Sequence, residues 1–573
     1  MTAIDLKQLA KALICLMAMQ SANSKPPNIV ILLADDMGWN DIGVHGSDIS
    51  TPNLDALAYN GVVFKRHYAQ PSCTPSRAAL LTGQYPIRYG LHGYPIQSQY
   101  KDGLPIGITI MPEILKGLGY RTHLVGKWHQ GYAKWAQMPT RRGFDSFFGF
   151  LNGFLSYYDG VHYDPPNIGL DFRCNEEESW RSVYSKYLPE ALSEKAAEVI
   201  RAHGQNNTDQ PFFLLVATNA PHAGGNRLFS EETPPKRSNA TQFIKNPTRR
   251  VLADVMRYVD DTMGNIVSTL SSSGQLDDTI VIFMGDNGGP SIDHGEPTGY
   301  ANAASNYPFR GMKFSMFEGG VRAPAILWKS NLKPHVYENM FHITDWLPTL
   351  ISAAGGQNRT GLDGVDHWAA LAGNGTQAPR NELLVEIHQA KDSYGYIKDN
   401  FKLVKSYAKN DSVEYSNNYF SPHPDENPNG YPFEDVQNSA VSIALGLALN
   451  ASACQNLRDR LVIQHSCSTE QDQTTAGSKD CSIEGCLFDI NIDPSECFDV
   501  SEQNAALKTQ LLDKVEEYKA AMVKRYDLPA DNRPNERNYY GPSSAVSLNS
   551  CYGLITLLVI AAIHGQVESG CDF

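Results

Sequence analysis

The feature that most constrains the fold is a set of short strand-like runs that alternate with helical patterns. The first run, Asn28 to Ala34, reads Asn-Ile-Val-Ile-Leu-Leu-Ala. An apolar run without polar alternation is typical of a strand buried on both faces of a parallel sheet. Further strands are predicted at 121–126, 212–217 and 279–284, with helices at 51–60, 109–118, 188–203 and 249–270. The alternation predicts an α/β fold with a largely parallel central sheet and helices on both faces.

Each predicted strand of this sheet ends in residues that can carry chemistry. They are Asp35 and Asp36, then Lys127 and His129, then His222, and finally Asp286 and Asn287. In sheets of this class the ligand site lies beyond the carboxyl ends of the strands. Adjacent buried carboxylates are costly without compensation, which a hard cation with oxygen ligands would supply. The convergence of four such strand ends at one edge indicates an enzyme.

A second informative stretch is Cys73-Thr-Pro-Ser-Arg77, which follows a strand predicted at 62–68. Pro75 suits the first turn of a helix, Thr74 can cap that turn, and Gly83 can end the helix. Cys73 is therefore expected at a helix N-terminus, where the dipole and the free N–H donors favour anions and lower the pKa of a thiol. The alternative interpretation is a structural or disulfide-bonded cysteine.

Past about residue 400 the pattern changes. Residues 408–440 are rich in Asn, Ser, Pro and Asp and show little periodicity, and 466–480 are also polar. A strand at 487–490 and a helix at 504–526 follow. We therefore expect a smaller C-terminal α+β subdomain beside the main sheet.

Six motifs together resemble those of the sulfatase family. They are Cys73-Thr-Pro-Ser-Arg77, Val125-Gly-Lys-Trp-His129, Thr140-Arg-Arg-Gly-Phe-Asp145, Asp286-Asn-Gly-Gly289, Phe317-Glu-Gly-Gly-Val-Arg322 and His342-Ile-Thr-Asp-Trp-Leu-Pro-Thr349. The resemblance covers about residues 27–370 and 487–526, and it is nearest to the N-acetylgalactosamine-4-sulfatase (arylsulfatase B) branch. It implies an alkaline-phosphatase-like fold and oxidation of Cys73 to formylglycine by the formylglycine-generating enzyme.

The resemblance also implies one Ca²⁺ per chain. Its ligands would be Asp35, Asp36, Asp286, Asn287 and the oxygen of modified Cys73. All are oxygen ligands, which Ca²⁺ prefers. The cation would orient the sulfate and act as a Lewis acid.

The same resemblance implies roles for the basic residues. Arg77 and His129 would hold the aldehyde hydrate of residue 73, while Lys127 and Lys313 would neutralise charge on the sulfate oxygens. His222 would protonate the leaving alcohol as a general acid. The predicted function is a sulfuric ester hydrolase acting on sulfated carbohydrates or aryl sulfates, with 4-sulfated N-acetylgalactosamine of glycosaminoglycans as the expected substrate.

Three alternatives stay open. A phosphatase or phosphodiesterase of the same fold needs a Ser or Thr nucleophile and usually a second metal site. A catalytically inactive, glycan-binding glycoprotein would have lost charged pocket residues that this chain retains. A thiol enzyme would use unmodified Cys73. The net charge of −14 argues against a nucleic-acid partner, so an anionic substrate needs a local basic pocket.

Several features indicate the secretory pathway, with the lysosome or the extracellular space as destination. Residues 1–24 resemble a signal peptide, in which Lys7 and Lys11 precede an apolar run and small residues follow. Six glycosylation sequons begin at Asn206, Asn239, Asn358, Asn374, Asn410 and Asn450. The apolar run at 554–563 is too short to span a bilayer, so no transmembrane span is expected.

Five of the ten cysteines of the chain crowd residues 454–497. They are Cys454, Cys467, Cys481, Cys486 and Cys497. Disulfides suit a secreted chain, and a zinc site is the weaker alternative because no C-x-x-C pair is present. The predicted division of the chain is a signal peptide at 1–24, a sulfatase catalytic domain at 25–405, a C-terminal subdomain with an insertion at 406–535, and a tail at 536–573.

Overall fold

The structure is a computed structural model. It describes residues 25–47, 49–98, 100–101, 103–164, 167–206, 209–224, 233–236, 239–291, 302–357, 359–373, 378–407, 427, 432–464, 467 and 480–525. The predicted signal peptide and tail lie outside these residues, as do the sequons at Asn358, Asn374 and Asn410.

The described residues form four sheets. In chain order the strands are β1 (Asn28–Ala34), β2 (Val62–Phe64), β3 (His67–Tyr68), β4 (Arg121–Lys127), β5 (Ser146–Phe150), β6 (Val161–Asp164), β7 (Asn167–Leu170), β8 (Arg173–Cys174), β9 (Glu177–Glu178), β10 (Phe212–Ala217), β11 (Thr279–Gly285), β12 (Ala325–Trp328), β13 (His335–Tyr337), β14 (Phe341–His342), β15 (Glu382–His388), β16 (Ser393–Lys398), β17 (Phe401–Lys405) and β18 (Cys486–Asp489).

The α-helices agree with the helical patterns of the sequence and add several short ones. In chain order they are α1 (Pro52–Tyr59), α2 (Cys73–Thr82), α3 (Met111–Gly117), α4 (Leu188–Asn206), α5 (Pro247–Ser272), α6 (Glu318–Val321), α7 (Trp346–Ala353), α8 (Trp368–Leu371), α9 (Phe433–Gln437), α10 (Ala440–Ala444), α11 (Ala451–Leu461) and α12 (Ala505–Ala521). Helix α5 begins at Pro247, two residues before the predicted start, because the Asn246 side chain accepts hydrogen bonds from the Thr248 and Arg249 N–H groups.

The main sheet has the order β13-β2-β12-β11-β1-β10-β4-β5-β8-β9 among the described residues. Its centre, β11-β1-β10-β4-β5, is entirely parallel, while β12, β8 and β9 add antiparallel pairs toward the edges. The predicted largely parallel sheet is therefore confirmed. One detail is wrong: the single strand expected at 62–68 is split into β2 and β3, which belong to different sheets.

Alternate residues of β1 pack into different cores, as a strand buried on both faces requires. Val30 and Leu32 belong to a core with residues of α1, α4 and α5. Ile29 and Ile31 belong to a second core with residues of α2, α3 and α7. Full burial of each such side chain is worth about 1.5–3 kcal/mol. The continuous apolar run is thus explained by helices on both faces of the sheet.

A smaller antiparallel sheet, β15-β16-β17-β18, forms the second unit of the fold. One face packs on α12 through Leu511 and Val515. The other face packs on the main domain at Phe317 and Tyr68. The sheet combines three strands that precede residue 405 with one that follows it, and the division of the chain at that residue stays a prediction.

The C-terminal cysteines form disulfides between Cys467 and Cys497 and between Cys481 and Cys486. Cys174 is also disulfide-bonded, whereas Cys454 is free and buried. Four of the five clustered cysteines are therefore oxidised, which excludes them as zinc ligands. In the part of the chain that the structure describes, no helix is long and apolar enough to cross a membrane.

Candidate active site

The predicted strand-end residues meet at one edge of the main sheet. Strands β11, β1, β10 and β4 are parallel neighbours, so their carboxyl ends lie side by side. Asp35 and Asp36 follow β1, Lys127 ends β4, and Asp286 follows β11. His222 lies in the segment after β10. The topology alone brings together groups that are distant in the chain, such as Asp36 and Asp286, which are 250 residues apart.

The inner part of the site is a buried ionic cluster. The Lys127 ammonium lies 2.9 and 2.7 Å from the two carboxylate oxygens of Asp35. The Arg77 guanidinium donates two hydrogen bonds, of 3.1 and 2.8 Å, to Oδ2 of Asp286. The same guanidinium lies 3.4 Å from Asp35. Helix α2 therefore fixes a cation between two strand ends.

A second group of contacts is centred on Asp36. Its Oδ2 lies 2.6 Å from Nζ of Lys313 and 3.3 Å from Nε2 of His222. Nζ of Lys313 and Nε2 of His222 are themselves 3.3 Å apart. The amide nitrogen of Asn287 donates to the other oxygen of Asp36 at 2.7 Å. Lys313 and His222 thus form a neighbouring pair at this side of the site.

Cys73 is the first residue of α2, is free, and is 2% exposed. The expectation of a lowered thiol pKa is wrong: burial raises the pKa of Cys73, and the nearby Lys127 and Lys313 charges do not offset this. The predicted Thr74 cap is also wrong, because Ser72 precedes the helix and the Thr74 hydroxyl accepts a hydrogen bond from the Ile96 N–H. Gly83 ends the helix in the left-handed region, as predicted.

The carboxylates of the site differ in their protonation tendencies. Burial, the largest single cause, raises the pKa of Asp35 and of Asp36, but the neighbouring positive charges together outweigh it and hold both pKa values below the ordinary range. The largest of these charges in effect is Lys127 for Asp35 and Lys313 for Asp36. Burial, together with the neighbouring Asp35 charge, raises the pKa of Asp286. Asp286 is therefore the carboxylate that most readily holds a proton.

The two histidines are held in the neutral form. Burial lowers the pKa of His129 far below its ordinary value, and the Lys127 charge lowers it further. Burial also lowers the pKa of His222, although Asp36 acts in the opposite direction. Nε2 of His129 lies 2.8 Å from the Ile96 carbonyl, and Nδ1 of His222 lies 2.6 Å from the Ala223 carbonyl. These hydrogen bonds orient both rings.

Three buried polar atoms of the site have no hydrogen-bond partner among the described residues. They are Nη1 of Arg77, Nδ1 of His129 and Oδ1 of Asn287. Native proteins leave few buried polar atoms unsatisfied, and each one needs an explanation. Nη1 of Arg77 is a donor, whereas Oδ1 of Asn287 and Nδ1 of the neutral His129 ring, whose Nε2–H donates to the Ile96 carbonyl, are acceptors. An anion, a hydroxyl group and a cation bound in the cluster would satisfy these three atoms.

The residues present fit a hard cation. Ligand atoms of Asp35, Asp36 and His222 all lie within 4.8 Å of one another. The unsatisfied Oδ1 of Asn287 and the carboxylate of Asp286 add oxygen atoms to this group. Oxygen-rich sets of this kind suit Ca²⁺ or Mg²⁺. Three carboxylates face the permanent charges of Arg77, Lys127 and Lys313, so a bound divalent cation would make the site net positive and attractive to an anion.

Three residues of the site have a strained backbone conformation. Asp36, His129 and Phe314 have φ angles of 64°, 52° and 75°, in the left-handed region that non-glycine residues rarely adopt. Such conformations persist only where the surrounding structure holds them, and they are frequent at functional sites. In the sequence nothing distinguishes these three residues from their neighbours.

Sequence reasoning missed several residues that build the walls of the site. The buried Asn302 amide donates to the Asp36 carbonyl at 3.0 Å and to the Pro221 carbonyl at 2.8 Å, and it thereby joins two strand ends. Phe154 stacks on His222 with ring centroids 5.8 Å apart. Asn302 lies in a polar stretch without periodicity, and Phe154 lies among other aromatic residues, so neither had a distinguishing signal.

Comparisons with a family model and with known proteins agree on one family. A family model for sulfatases matches residues 27–356. Arylsulfatase J of Mus musculus is 36% identical over 372 residues, which are 64% of this chain and 59% of that protein. N-acetylgalactosamine-6-sulfatase of Rattus norvegicus is 36% identical over 377 residues, which are 62% of this chain and 67% of that protein. Arylsulfatase A of Homo sapiens is 33% identical over 393 residues, with 65% and 73% covered. The expected nearest likeness to a 4-sulfatase is not confirmed by these relatives.

Solved structures agree with the fold. The crystal structure of Ps i-CgsB in complex with k-i-k-neocarrahexaose has a TM-score of 0.65 and 26% identity, and it covers 91% of this chain and 98% of that one. The PsFucS1 sulfatase from Pseudoalteromonas sp. has a TM-score of 0.62 and 22% identity, with 91% and 96% covered. The predicted alkaline-phosphatase-like architecture, a mostly parallel main sheet with a smaller antiparallel sheet, is confirmed.

Proposed function

The chain belongs to the sulfatase family, and from that premise we propose that it is a sulfuric ester hydrolase that releases sulfate from sulfated sugars. The observation that carries the proposal is the buried site itself. Cys73 lies at the start of a helix among three permanent cations and three carboxylates that meet at one sheet edge. Such a site can hold an anion, a cation and a nucleophile in contact with one another.

The proposed nucleophile is residue 73 after oxidation to formylglycine by the formylglycine-generating enzyme. The raised pKa of the buried Cys73 thiol supports this reading, because a protonated thiol is a poor nucleophile. The modified residue supplies a hydrated aldehyde oxygen in place of sulfur. Arg77 and His129 border this position, and each has a buried nitrogen without a partner among the described residues. We assign them to hydrogen bonding with the nucleophile.

The proposed metal is Ca²⁺. Asp35, Asp36, Asp286 and Asn287 would hold it together with the oxygen of modified residue 73. When bound, the cation supplies Lewis-acid polarisation of the sulfate and of the nucleophile. Asn287 orients the neighbouring carboxylate of Asp36 through its amide N–H, and its oxygen is the atom that the site leaves for the metal.

Lys127 and Lys313 are proposed to stabilise the sulfate charge. Breaking the S–O bond moves negative charge onto the sulfate oxygens and the leaving oxygen, and fixed cations in a buried site stabilise this charge strongly. Both ammonium groups are nearly fully buried and are held by carboxylates, at 2.7 Å for Lys127 and 2.6 Å for Lys313. They are therefore oriented before substrate binds.

His222 is proposed as the general acid that protonates the leaving alcohol. It lies 3.3 Å from Lys313, so proton donation and charge neutralisation occur at the same side of the sulfur. Because the pKa of His222 is lowered, its protonated imidazole is a stronger acid, but a smaller fraction of the molecules carries this proton at neutral pH. We therefore expect turnover of sugar sulfates to increase as the pH falls below neutrality.

The role of His222 can be tested with two leaving groups. A phenol, with a pKa near 10, leaves without protonation, whereas the hydroxyl group of a sugar is a much weaker acid and needs a proton donor when it leaves. We expect His222→Ala to reduce kcat about 100-fold or more for a sugar sulfate but less than about 10-fold for an aryl sulfate. Equal losses for both substrates would contradict the assignment.

The substrate class rests on the relatives. N-acetylgalactosamine-6-sulfatase is named for a sulfated hexosamine, and Ps i-CgsB was crystallised with an oligosaccharide. We propose a sulfated hexosamine or a similar sugar as substrate. The narrower expectation of 4-sulfated N-acetylgalactosamine lacks support from these relatives, so 4-sulfated and 6-sulfated forms are to be compared directly. Aryl sulfates serve as generic substrates.

The decisive experiment is mass spectrometry of the tryptic peptide from His67 to Arg77, prepared from protein secreted by a cell that modifies sulfatases. An aldehyde or its hydrate at residue 73, with sulfate release from a sugar sulfate panel, is the expected result. An intact thiol with thiol-dependent activity favours a thiol enzyme. Turnover of phosphate esters instead of sulfate esters favours a phosphatase or phosphodiesterase, and binding of sulfated glycans without turnover favours an inactive glycan-binding protein.

We further propose that the chain is a glycoprotein of the secretory pathway, in the lysosome or outside the cell. The leader-like residues 1–24 and the six sequons support this proposal. The Asn450 side chain is exposed and caps α11 by accepting from the Ala453 N–H. The domain division given above, with the catalytic domain at 25–405, is also part of the proposal.

A further inference from the structure

Three aromatic side chains lie against the buried site and are partly exposed. We call Tyr94, Phe154 and Phe314 the aromatic rim. All three are of intermediate exposure, whereas Lys313 and His222 beside them are only 5% and 4% exposed. In a site whose reactive groups are buried, partly exposed neighbours mark the opening. The rim therefore lies where a substrate enters.

The rim contacts the pair of residues proposed to act on the leaving group. The Phe154 ring is stacked on the His222 ring, with an interplanar angle of 12° and centroids 5.8 Å apart. Nζ of Lys313 lies 5.5 Å from the centroid of Phe314. Because Lys313 and His222 are 3.3 Å apart, each member of the pair has one rim ring beside it. Tyr94 packs edge-on against Phe314, with centroids 5.9 Å apart.

Phe314 is held in a conformation that glycine would adopt more easily. Its φ angle is 75°, which is strained for a bulky residue. Its N–H donates to the Pro71 carbonyl at 2.7 Å, and its carbonyl accepts from the Tyr407 hydroxyl at 2.8 Å. These two hydrogen bonds fix the strained residue. A costly aromatic side chain at such a position points to a use for the ring.

Phe154 is also fixed from behind. A Cβ atom added to the preceding Gly153 would lie 2.7 Å from Cε1 of His129, closer than real Cβ contacts. The backbone leading into Phe154 therefore packs directly on the wall of the site. Phe154 also packs against His162 of β6, with ring centroids 4.3 Å apart. The ring cannot be displaced without moving one of these histidines.

We propose that the aromatic rim binds the sugar ring that carries the sulfate, with Phe154 and Phe314 packing on its apolar C–H surfaces. The inference rests on the proposed sulfatase function and adds a leaving-group subsite to it. The sulfate in the buried site and the leaving oxygen at Lys313 and His222 put the attached sugar carbon at the rim. Aromatic faces bury the C–H surface of a pyranose and leave its hydroxyl groups free for water or polar residues.

The test uses Phe314→Gly, which removes the ring and suits the φ angle of 75°. We expect kcat/KM for the preferred N-acetylgalactosamine sulfate to fall about 10-fold, chiefly through KM, because aromatic packing is lost. Competitive inhibition by inorganic sulfate, which needs only the buried site, should stay within about 2-fold of wild type. The thermal midpoint should be equal or higher. Phe314→Tyr should restore kcat/KM.

Two further variants complete the experiment. Phe154→Ala should raise KM for the sugar sulfate about 5-fold, again without a matching change in sulfate inhibition. Phe498→Ala, which removes a ring that is 51% exposed in the C-terminal segment, is the matched control and should leave both quantities unchanged. An unchanged kcat/KM in Phe314→Gly would overturn the inference, and so would a parallel weakening of sulfate inhibition, because the ring would then position Lys313 rather than the sugar.

Failure of the proposed function has a different signature. A wild-type protein that releases no sulfate contradicts the hydrolase, and the rim is then tested by calorimetric binding of the same sugar sulfate. Weaker binding by Phe314→Gly than by wild type supports the rim as a sugar subsite without catalysis. Equal binding, or no binding by the wild type, overturns it.

Discussion

Lys127 and Lys402 are both fully buried ammonium groups, but they belong to charge clusters of different construction. Lys127 is part of the candidate active site. Lys402 of β17 is part of a second cluster, the junction network, defined by Tyr68, Glu318, Arg322, Lys402 and Glu496. Lys402 lies 2.8 Å from Oε1 of Glu318 and 3.1 Å from Oε1 of Glu496. The junction network connects the smaller sheet to the main domain.

The junction network satisfies its charges internally. Oε2 of Glu318 accepts from the Tyr68 hydroxyl and from Arg322, each at 3.0 Å. The Glu318 N–H donates to Glu496 at 2.6 Å. The active site instead leaves polar atoms of Arg77 and Asn287 without protein partners among the described residues. Burial of charge does not by itself mark a site, and neither does strained backbone, since Glu496 of the junction network has a φ angle of 55°. The clusters differ because each carboxylate oxygen of Glu318 and Glu496 lies within 3.1 Å of a cation or a donor, whereas Nη1 of Arg77 and Oδ1 of Asn287 have no partner among the described residues.

The largest expected effect is the loss of sulfate release when a residue of the active site, rather than of the junction network, is replaced. Cys73→Ala removes the proposed nucleophile and should reduce sulfate release by on the order of 10⁴-fold or more, because no other group replaces it. The folding stability should change little, since alanine fits a helix start. Initial rates on an aryl sulfate and a thermal melt measure both quantities. Cys454→Ala, at a second cysteine that is free and buried among the described residues, is the control and should remain active. Comparable activity of both variants would contradict the role of Cys73.

The second effect concerns stability. Lys402→Met leaves the Glu318 and Glu496 carboxylates buried without their ammonium partner, and we expect the free energy of unfolding to fall by about 3–5 kcal/mol. The kcat of the molecules that remain folded should change much less than in Cys73→Ala. Urea unfolding measures the loss. The double variant Lys402→Met/Glu496→Gln should recover part of it, and a double variant as unstable as the single one would contradict the pairing.

The third effect tests whether the candidate active site, unlike the junction network, binds a divalent cation. Removal of divalent cations by a chelator should abolish activity and lower the free energy of unfolding by about 3 kcal/mol relative to protein with Ca²⁺ at 100 times its Kd. Added Ca²⁺ should restore both. Asp36→Asn should lose this response, whereas Lys402→Met should keep it. A chelator response that survives in Asp36→Asn would contradict the proposed metal site.

The smallest effect is a pH dependence of the junction network. Burial raises the pKa of Glu496 from its ordinary value of 4.5 to about 7, although Lys402 opposes this rise. Between these two values the folded state binds more protons than the unfolded state, so this group makes the free energy of unfolding fall as the pH rises. Glu496→Gln should therefore gain about 3 kcal/mol relative to wild type between pH 4.5 and 8. A constant difference across this range would contradict the raised pKa.

The sequence predicted the fold from local patterns. The apolar runs at Asn28–Ala34 and Phe212–Ala217 became neighbouring parallel strands, and the glycine at position 83 ended α2 in the left-handed region. Because ligand sites in such sheets lie beyond the carboxyl ends of the strands, the sequence also predicted that Asp35, Lys127 and Asp286 lie at one edge of the sheet. These predictions succeeded because a strand that is buried on both faces of a sheet is apolar at nearly every position, and this pattern can be seen in a short stretch of sequence.

Local patterns failed where a property depends on distant groups. The Thr74 side chain could cap a helix, but its hydroxyl oxygen accepts a hydrogen bond from the Ile96 N–H instead. Cys73 lies at a helix N-terminus, which should lower the pKa of its thiol, but burial raises this pKa instead. The Lys402–Glu318 pair and the strained Phe314 had no signal in the sequence, because both depend on packing between the main domain and the smaller sheet.

The sequence by itself determined the strands, the helices and the edge of the sheet at which the chemistry is gathered, since side-chain periodicity is a local property of the chain. Only the tertiary structure decided which charges pair and how the environment shifts their protonation. Lys313 and Asp36, for example, are 277 residues apart and meet at 2.6 Å. Coulomb attraction and loss of hydration depend on distance and burial, and neither quantity exists until distant segments have packed together.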